Sequence, residues 1–102
     1  MHAALDNQGS SLLAPERLIA DTRGAFRTAA LHYLEQLGPD AGALVIDMRR
    51  TLDVDASGLG ILVLVQKRAK EKGLSTRLDH APERVRNLLK LTLLDFLFEL
   101  TD

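Results

Sequence analysis

The stretch ALVIDMRRTLDVDASGLGILVLVQKRAKEKG, residues 43–73, decides how this chain folds. Its first six residues are short, almost continuously apolar and followed by charge, the pattern of a strand buried on both faces. A polar linker, residues 49–55, leads into Asp55, Ala56, Ser57, Gly58, Leu59 and Gly60, and then into a helix expected over residues 57–72. The first half of that helix is apolar almost all round, so it is largely buried. Gly73 stands in the C-capping position, and the basic residues of 67–72 complement the negative end of the helix dipole.

The elements on either side of this stretch alternate in the same way. Residues 11–19 mix apolar side chains with Pro15, which removes a ladder donor, so an irregular strand is expected there. Asp21 is placed to cap a helix over residues 22–37, where Phe26, Ala30, Tyr33, Leu34 and Leu37 recur at helical spacing. Gly38 and Pro39 end it. Residues 74–78 alternate as a strand, and Pro82 suits the first turn of a third helix with Val85, Leu88, Leu89 and Thr92 on one face. A last strand is expected over residues 96–100, with Phe96 and Phe98 sharing a core face. Strands alternating with helices of this length imply right-handed crossovers and a mostly parallel sheet.

The chain has 102 residues, room for one core. We read residues 1–10 as a flexible N-terminal segment and 11–102 as a single domain. Hydrophobic residues make up 46% and charged residues 26%, which excludes the composition of a disordered chain. The net charge of −1 leaves no excess of cations to neutralise a nucleic-acid backbone, so direct nucleic-acid binding is not expected. With no cysteine there is no disulfide framework. The N-terminus has no signal-peptide pattern, and no apolar run approaches the roughly 20 residues that span a bilayer. A cytoplasmic location without membrane insertion is the expectation.

Ser57 falls at the start of the second helix, where unpaired backbone N–H groups favour an anion. Gly58 and Gly60 keep the neighbouring surface free of side chains, so another protein could approach the backbone and a kinase could reach the hydroxyl. Enzyme motifs fail on spacing. A phosphate loop needs Lys after its second glycine, and Ile61 follows Gly60. A nucleophile elbow needs Gly where Asp55 stands, and a dinucleotide fingerprint needs Gly where Val63 stands. His2, His32 and His80 lack ligand spacing. No catalytic residue, metal site or cofactor is expected. A nucleotide site would rest on the helix N-terminus alone.

The segment DASGLG after a buried strand and a polar linker resembles the DSSGLG-type signature of STAS domains and anti-sigma-factor antagonists. PERLIADTRGAF resembles that family's second strand and first helix, and APERVRNLLKLTLLDFLFEL its third helix and last strand. The resemblance implies an α/β STAS-like fold: a mixed, mostly parallel sheet of about four strands flanked by helices, here lacking most of the family's first strand and its C-terminal helix. It implies phosphorylation of Ser57 and a partner-binding surface of Asp55, Ala56, Ser57, Gly58, Leu59 and Gly60. The implied partners are an anti-sigma factor or GHKL-type serine kinase and a PP2C-type phosphatase; a homo-oligomer is left open. One departure stands out, because Ile19 occupies the family's acidic position and Asp21 is the nearest candidate substitute.

Each of these residues also has a plainer account. Ser57 or Asp55 can be a helix N-cap and nothing more. Gly58 and Gly60 cost the helix about 1 kcal/mol each relative to Ala, so close packing is an alternative to partner contact. The basic run of residues 67–72 reads first as a solvated helix end, and second as a docking patch. The rival function is a structural STAS subunit of a lipid-transport ABC system or of a stressosome-type scaffold, in which Ser57 is never modified.

Overall fold

The computed structural model describes residues 11–101, so the expected flexible segment 1–10 lies outside the described residues. Among the described residues, six strands and three α-helices follow in the order β1 (Leu12–Leu13), β2 (Arg17–Leu18), α1 (Arg23–Gln36), β3 (Ala43–Asp47), β4 (Asp53–Val54), α2 (Ala56–Glu71), β5 (Ser75–Asp79), α3 (Glu83–Leu91) and β6 (Glu99–Thr101). The main sheet has four strands in the order β1-β3-β5-β6, and β2 and β4 form a separate two-stranded ribbon. All the pairings among the described residues are parallel, with Leu12 opposite Ile46, Ile46 opposite Leu78 and Leu78 opposite Leu100. This is the mostly parallel four-stranded sheet that the alternation of elements predicts. Leu44, Ile46 and Met48 are fully buried, as the continuous apolar run of β3 requires of an interior strand.

Pro15 divides the first apolar stretch into β1 and β2. The ladder continues through Ala14, whose amide donates to the Asp47 carbonyl at 2.9 Å, and stops where Pro15 has no N–H to give. The carbonyls freed by this break are taken up by the segment after β3. Arg50 Nε donates to the Ala14 carbonyl at 3.2 Å, Thr51 Oγ1 to Pro15 at 2.9 Å, and the Leu52 amide to Glu16 at 2.7 Å. Residues 49–55 are therefore not a plain solvated linker: they contain β4, and their polar groups lock the turn around Pro15.

Helix α1 buries Phe26, Ala30 and Leu34, the stripe its spacing predicts. Its N-cap is Thr22, not Asp21, which is exposed. The Thr22 hydroxyl accepts from the Ile19 amide at 3.0 Å and donates to the Arg17 carbonyl at 2.6 Å, which ties the helix start to β2. At its other end, Lys72 Nζ donates to the Leu34 and Leu37 carbonyls at 2.6 and 3.1 Å, so the tail of α2 satisfies the open end of α1. Helix α2 ends in a Schellman turn: Gly73 has φ 83°, its amide donates to Lys70, and the Leu74 amide donates to Ala69.

Pro82 is the N-cap of α3, one position earlier than expected, and Thr92 is its exposed C-cap. The end of the chain differs more. Residues 95–97 form a 3-10 turn, and the strand begins only at Glu99. Side chains two apart on a 3-10 turn diverge, whereas on a strand they share a face. Phe98 is accordingly buried, at 7% exposure, while Phe96 is 79% exposed and is not part of the core.

Candidate functional site

The ribbon β2–β4 delivers the chain to the start of α2. Asp55 is the N-cap, in extended conformation, and its carboxylate accepts from the Gly58 amide at 2.9 Å. Its second oxygen accepts from the Ala20 amide at 3.2 Å, in the turn between β2 and α1. The Asp55 amide itself donates to the Leu18 carbonyl at 3.3 Å. One residue thus pins the start of α2 to the β2–α1 turn. The Gly58 amide holds the Asp55 carboxyl below its usual pKa; desolvation opposes it as the next largest effect, and the Ala20 and Ser57 amides add to the lowering.

Ser57 is the second residue of α2 and is half-buried. Its amide faces the Asp55 carboxylate. Among the described residues no hydrogen bond engages its hydroxyl. Asp55, Ala56 and Gly60 are exposed around it, whereas Gly58 and Leu59 are buried. The six motif residues therefore divide into an outward set, exposed Asp55, Ala56 and Gly60 with half-buried Ser57 among them, and an inward pair.

The two glycines do different things. A Cβ on Gly58 would lie 2.1 Å from the Leu18 carbonyl oxygen and 3.0 Å from a Val54 methyl, so α2 packs backbone to backbone on β2 there. A Cβ on Gly60 would meet nothing within 4 Å. Close packing accounts for the first and not for the second.

Ile19 is half-buried and Asp21 is exposed, and the acidic group joined to the β2–α1 turn is Asp55. Arg49 and Arg50 are engaged within the framework, Arg49 with the Asp47 carboxylate at 2.8 Å and Arg50 with the Ala14 carbonyl. Sequence reasoning missed Ala20, whose contribution is a backbone amide, and Thr22 and Thr51, whose hydroxyls hold the two turns beside the site. A Thr next to the expected helix start was a legible signal for the first of these hydroxyls. No group of three metal-ligating side chains occurs among the described residues.

The fold is thus an α/β domain with Ser57 in the first turn of α2, a helix packed on β2 through Gly58. The chain belongs to the STAS domain family: the model described as Mlab, STAS domain, matches residues 1–99. Two solved structures share the fold. A candidate anti-sigma factor antagonist from Thermotoga maritima superimposes with a TM-score of 0.75 at 20% identity, over 88% of this chain and 77% of that one. A sulfate transporter family protein from Wolinella succinogenes gives 0.74 at 16% identity, over 91% and 75%. No helix among the described residues is long and apolar enough to cross a membrane.

Proposed function

We propose that this chain is a non-catalytic, cytoplasmic partner switch, an anti-sigma-factor antagonist that docks through the outward set Asp55, Ala56, Ser57 and Gly60. In its unphosphorylated form it binds an anti-sigma factor or GHKL-type serine kinase and frees what that partner holds. The observation that carries this reading is the Ser57 hydroxyl, placed in the first turn of α2 beside exposed Ala56 and Gly60 and engaged by no hydrogen bond among the described residues. A kinase can take that hydroxyl without breaking the fold. Phosphorylation adds a charge of about −1.5 to −2 beside the Asp55 carboxylate, and so opposes a partner shaped for the neutral surface. A PP2C-type phosphatase resets it. A loss of about 2.7 kcal/mol is a hundredfold in affinity, so one phosphate suffices.

Intact-mass analysis after incubation with candidate GHKL-type kinases and ATP, followed by calorimetry of four species, tests this. Wild type and Ser57→Ala should bind alike, Ser57→Asp more weakly, and the phosphoserine form weakest. Equal affinity of phosphorylated and unphosphorylated protein would refute the switch.

A second reading, a constitutive STAS subunit of a lipid-transport ABC system or stressosome-type scaffold, is favoured by the exposure of Leu91, Leu93 and Phe96. These apolar side chains suit a permanent interface better than a reversible one. In that case kinases leave Ser57 unmodified and loss of Phe96, not of Ser57, abolishes assembly.

A further inference from the structure

Helices α2 and α3 end in the same Schellman turn but fill its left-handed position differently. After α2 the residue is Gly73, with φ 83°; after α3 it is Leu93, with φ 60°. The hydrogen bonds match, since the Leu93 amide donates to Lys90 and the Leu94 amide to Leu89, as Gly73 and Leu74 do to Lys70 and Ala69. A Cβ in this conformation crowds the following carbonyl, which is why glycine is the common choice. Leu93 gains nothing inside the fold to offset that strain: it is 75% exposed, and the apolar contact that accompanies the turn falls to Leu94, packed against the core. A strained residue that also leaves an apolar side chain in water points to a contact outside the chain.

Its neighbours agree. Leu91, just before the turn, is 82% exposed, and Phe96, just after it, is 79% exposed. These are the three most exposed large apolar side chains among the described residues, and they fall within one six-residue segment whose Leu94 and Leu97 pack inward. Together they leave roughly 400 Å² of apolar surface in water. A stable dimer buries about 800 Å² on each partner, of which about 65% is apolar, so this segment supplies most of what a contact with a second copy needs. The charges around it suit the same occupant. Lys90 precedes the leucines and Asp95 follows them, and neither has an ion pair among the described residues. A rim that carries one charge of each sign is complementary to itself about a two-fold axis, whereas a rim of one sign would repel its own copy. An anionic bilayer is a poorer match, because Asp95 lies between Leu93 and Phe96 and the net charge is −1.

We propose that this chain forms a two-fold homodimer through Leu91, Leu93 and Phe96, with Lys90 of each copy against Asp95 of the other. Leu97 borders the last turns of α2 beside Lys70 and Glu71, so the contact lies at the end of α2 remote from Ser57. Fourteen residues from Ser57 to Glu71 are about 21 Å of helix, and the dimer keeps both Ser57 surfaces free. The contact is independent of how Ser57 is read.

Sedimentation velocity on the full chain tests it. Wild type should be monomeric at about 1 µM and dimeric at about 300 µM, as suits a small interface. Leu93→Gly should weaken the dimer by about tenfold and yet raise the Tm of the dilute monomer by about 4 °C, because it removes the contact and the steric penalty together. Phe96→Ser should also weaken the dimer by about tenfold. Lys90→Glu and Asp95→Lys should each oppose self-association, and an equimolar mixture of the two should recover it, since every facing pair is then of opposite charge. Ser57→Asp should leave the dimer unchanged. A chain that stays monomeric at every concentration would overturn the proposal. So would a dimer that ignores Leu93→Gly and Phe96→Ser, a Leu93→Gly monomer less stable than wild type, or a mixture that associates no better than its components.

Discussion

Substituting alanine at Gly58 and at Gly60 should give opposite results within one motif. In an exposed helical position Ala is favoured over Gly by about 1 kcal/mol. Gly60 is exposed and a Cβ there meets nothing within 4 Å, so Gly60→Ala should stabilise by about that amount, or about 4–8 °C in Tm for a chain of this size. At Gly58 the same methyl would sit 2.1 Å from the Leu18 carbonyl oxygen and 2.9 Å from its carbon. To reach ordinary van der Waals separation the start of α2 must retreat from β2 by roughly 1.3 Å. That movement stretches the bond from the Asp55 amide to the Leu18 carbonyl, already 3.3 Å, and loosens the Asp55 bridge to Ala20. Overpacking against backbone exceeds the gain in helix propensity, for a net cost of about 2–4 kcal/mol and a fall of roughly 10–25 °C in Tm. Differential scanning calorimetry of the two variants and wild type checks both signs. A Gly58→Ala protein as stable as wild type would refute the backbone-to-backbone packing, and with it the reason for a glycine there.

The two phenylalanines near the C-terminus should also part company in urea titration: Phe98→Ala should cost about 3–5 kcal/mol, and Phe96→Ser no more than about 0.5 kcal/mol. Thr76 is 1% exposed in β5, and its hydroxyl has no hydrogen-bond partner among the described residues, so Thr76→Val should raise stability by about 1 kcal/mol in the same assay. Asp55 has a folded-state pKa below the ordinary value, chiefly through the Gly58 amide, so its stabilising effect is complete above the unfolded-state pKa and is lost as pH falls through the lowered folded-state one. Asp79 behaves in the same direction, held down first by Arg77 and further by the Thr101 hydroxyl. Asp55→Asn should therefore flatten, without abolishing, the loss of urea midpoint between about pH 5 and pH 2; an unchanged slope would refute the N-cap bridge.

Where local pattern and burial point the same way, the fold was legible in the sequence. Strand β3 and the first half of helix α2 each carry a continuous apolar signal, and the observed bounds of both elements fall within one or two residues of those expected. The ribbon β2–β4 was not legible, because two residues carry no period and the pairing of Leu18 with Val54 joins positions 36 residues apart. Asp21 looked like a cap because its side chain suits the role, yet the N-cap is Thr22, one position later, whose hydroxyl donates to the Arg17 carbonyl and ties the helix start to β2. Phe96 and Phe98 were read with period two, but the chain leaves α3 through Leu93 at φ 60° and turns before it can extend. For the site, DASGLG indicated which residues meet at the start of α2. It could not indicate that the Ala20 amide completes the Asp55 bridge, since a backbone group carries no signature in side-chain identity.

The division within DASGLG bears on how a switch here could operate. Asp55 spends its carboxylate on two amides from different elements, and Gly58 and Leu59 face the interior, so the anchoring of α2 does not depend on the outward hydroxyl. A phosphate on Ser57 would sit at the positive end of the helix dipole, which favours the added charge, while the nearby Asp55 carboxylate opposes it. These two effects act in opposite directions on the fold and leave its stability little changed. On a partner docked as proposed they would not cancel, because the helix amides are internal whereas the added charge and bulk would lie on the shared surface. In the switch proposed above, this placement would let a phosphate on Ser57 act on binding rather than on folding, and the module would change partners without passing through an unfolded state.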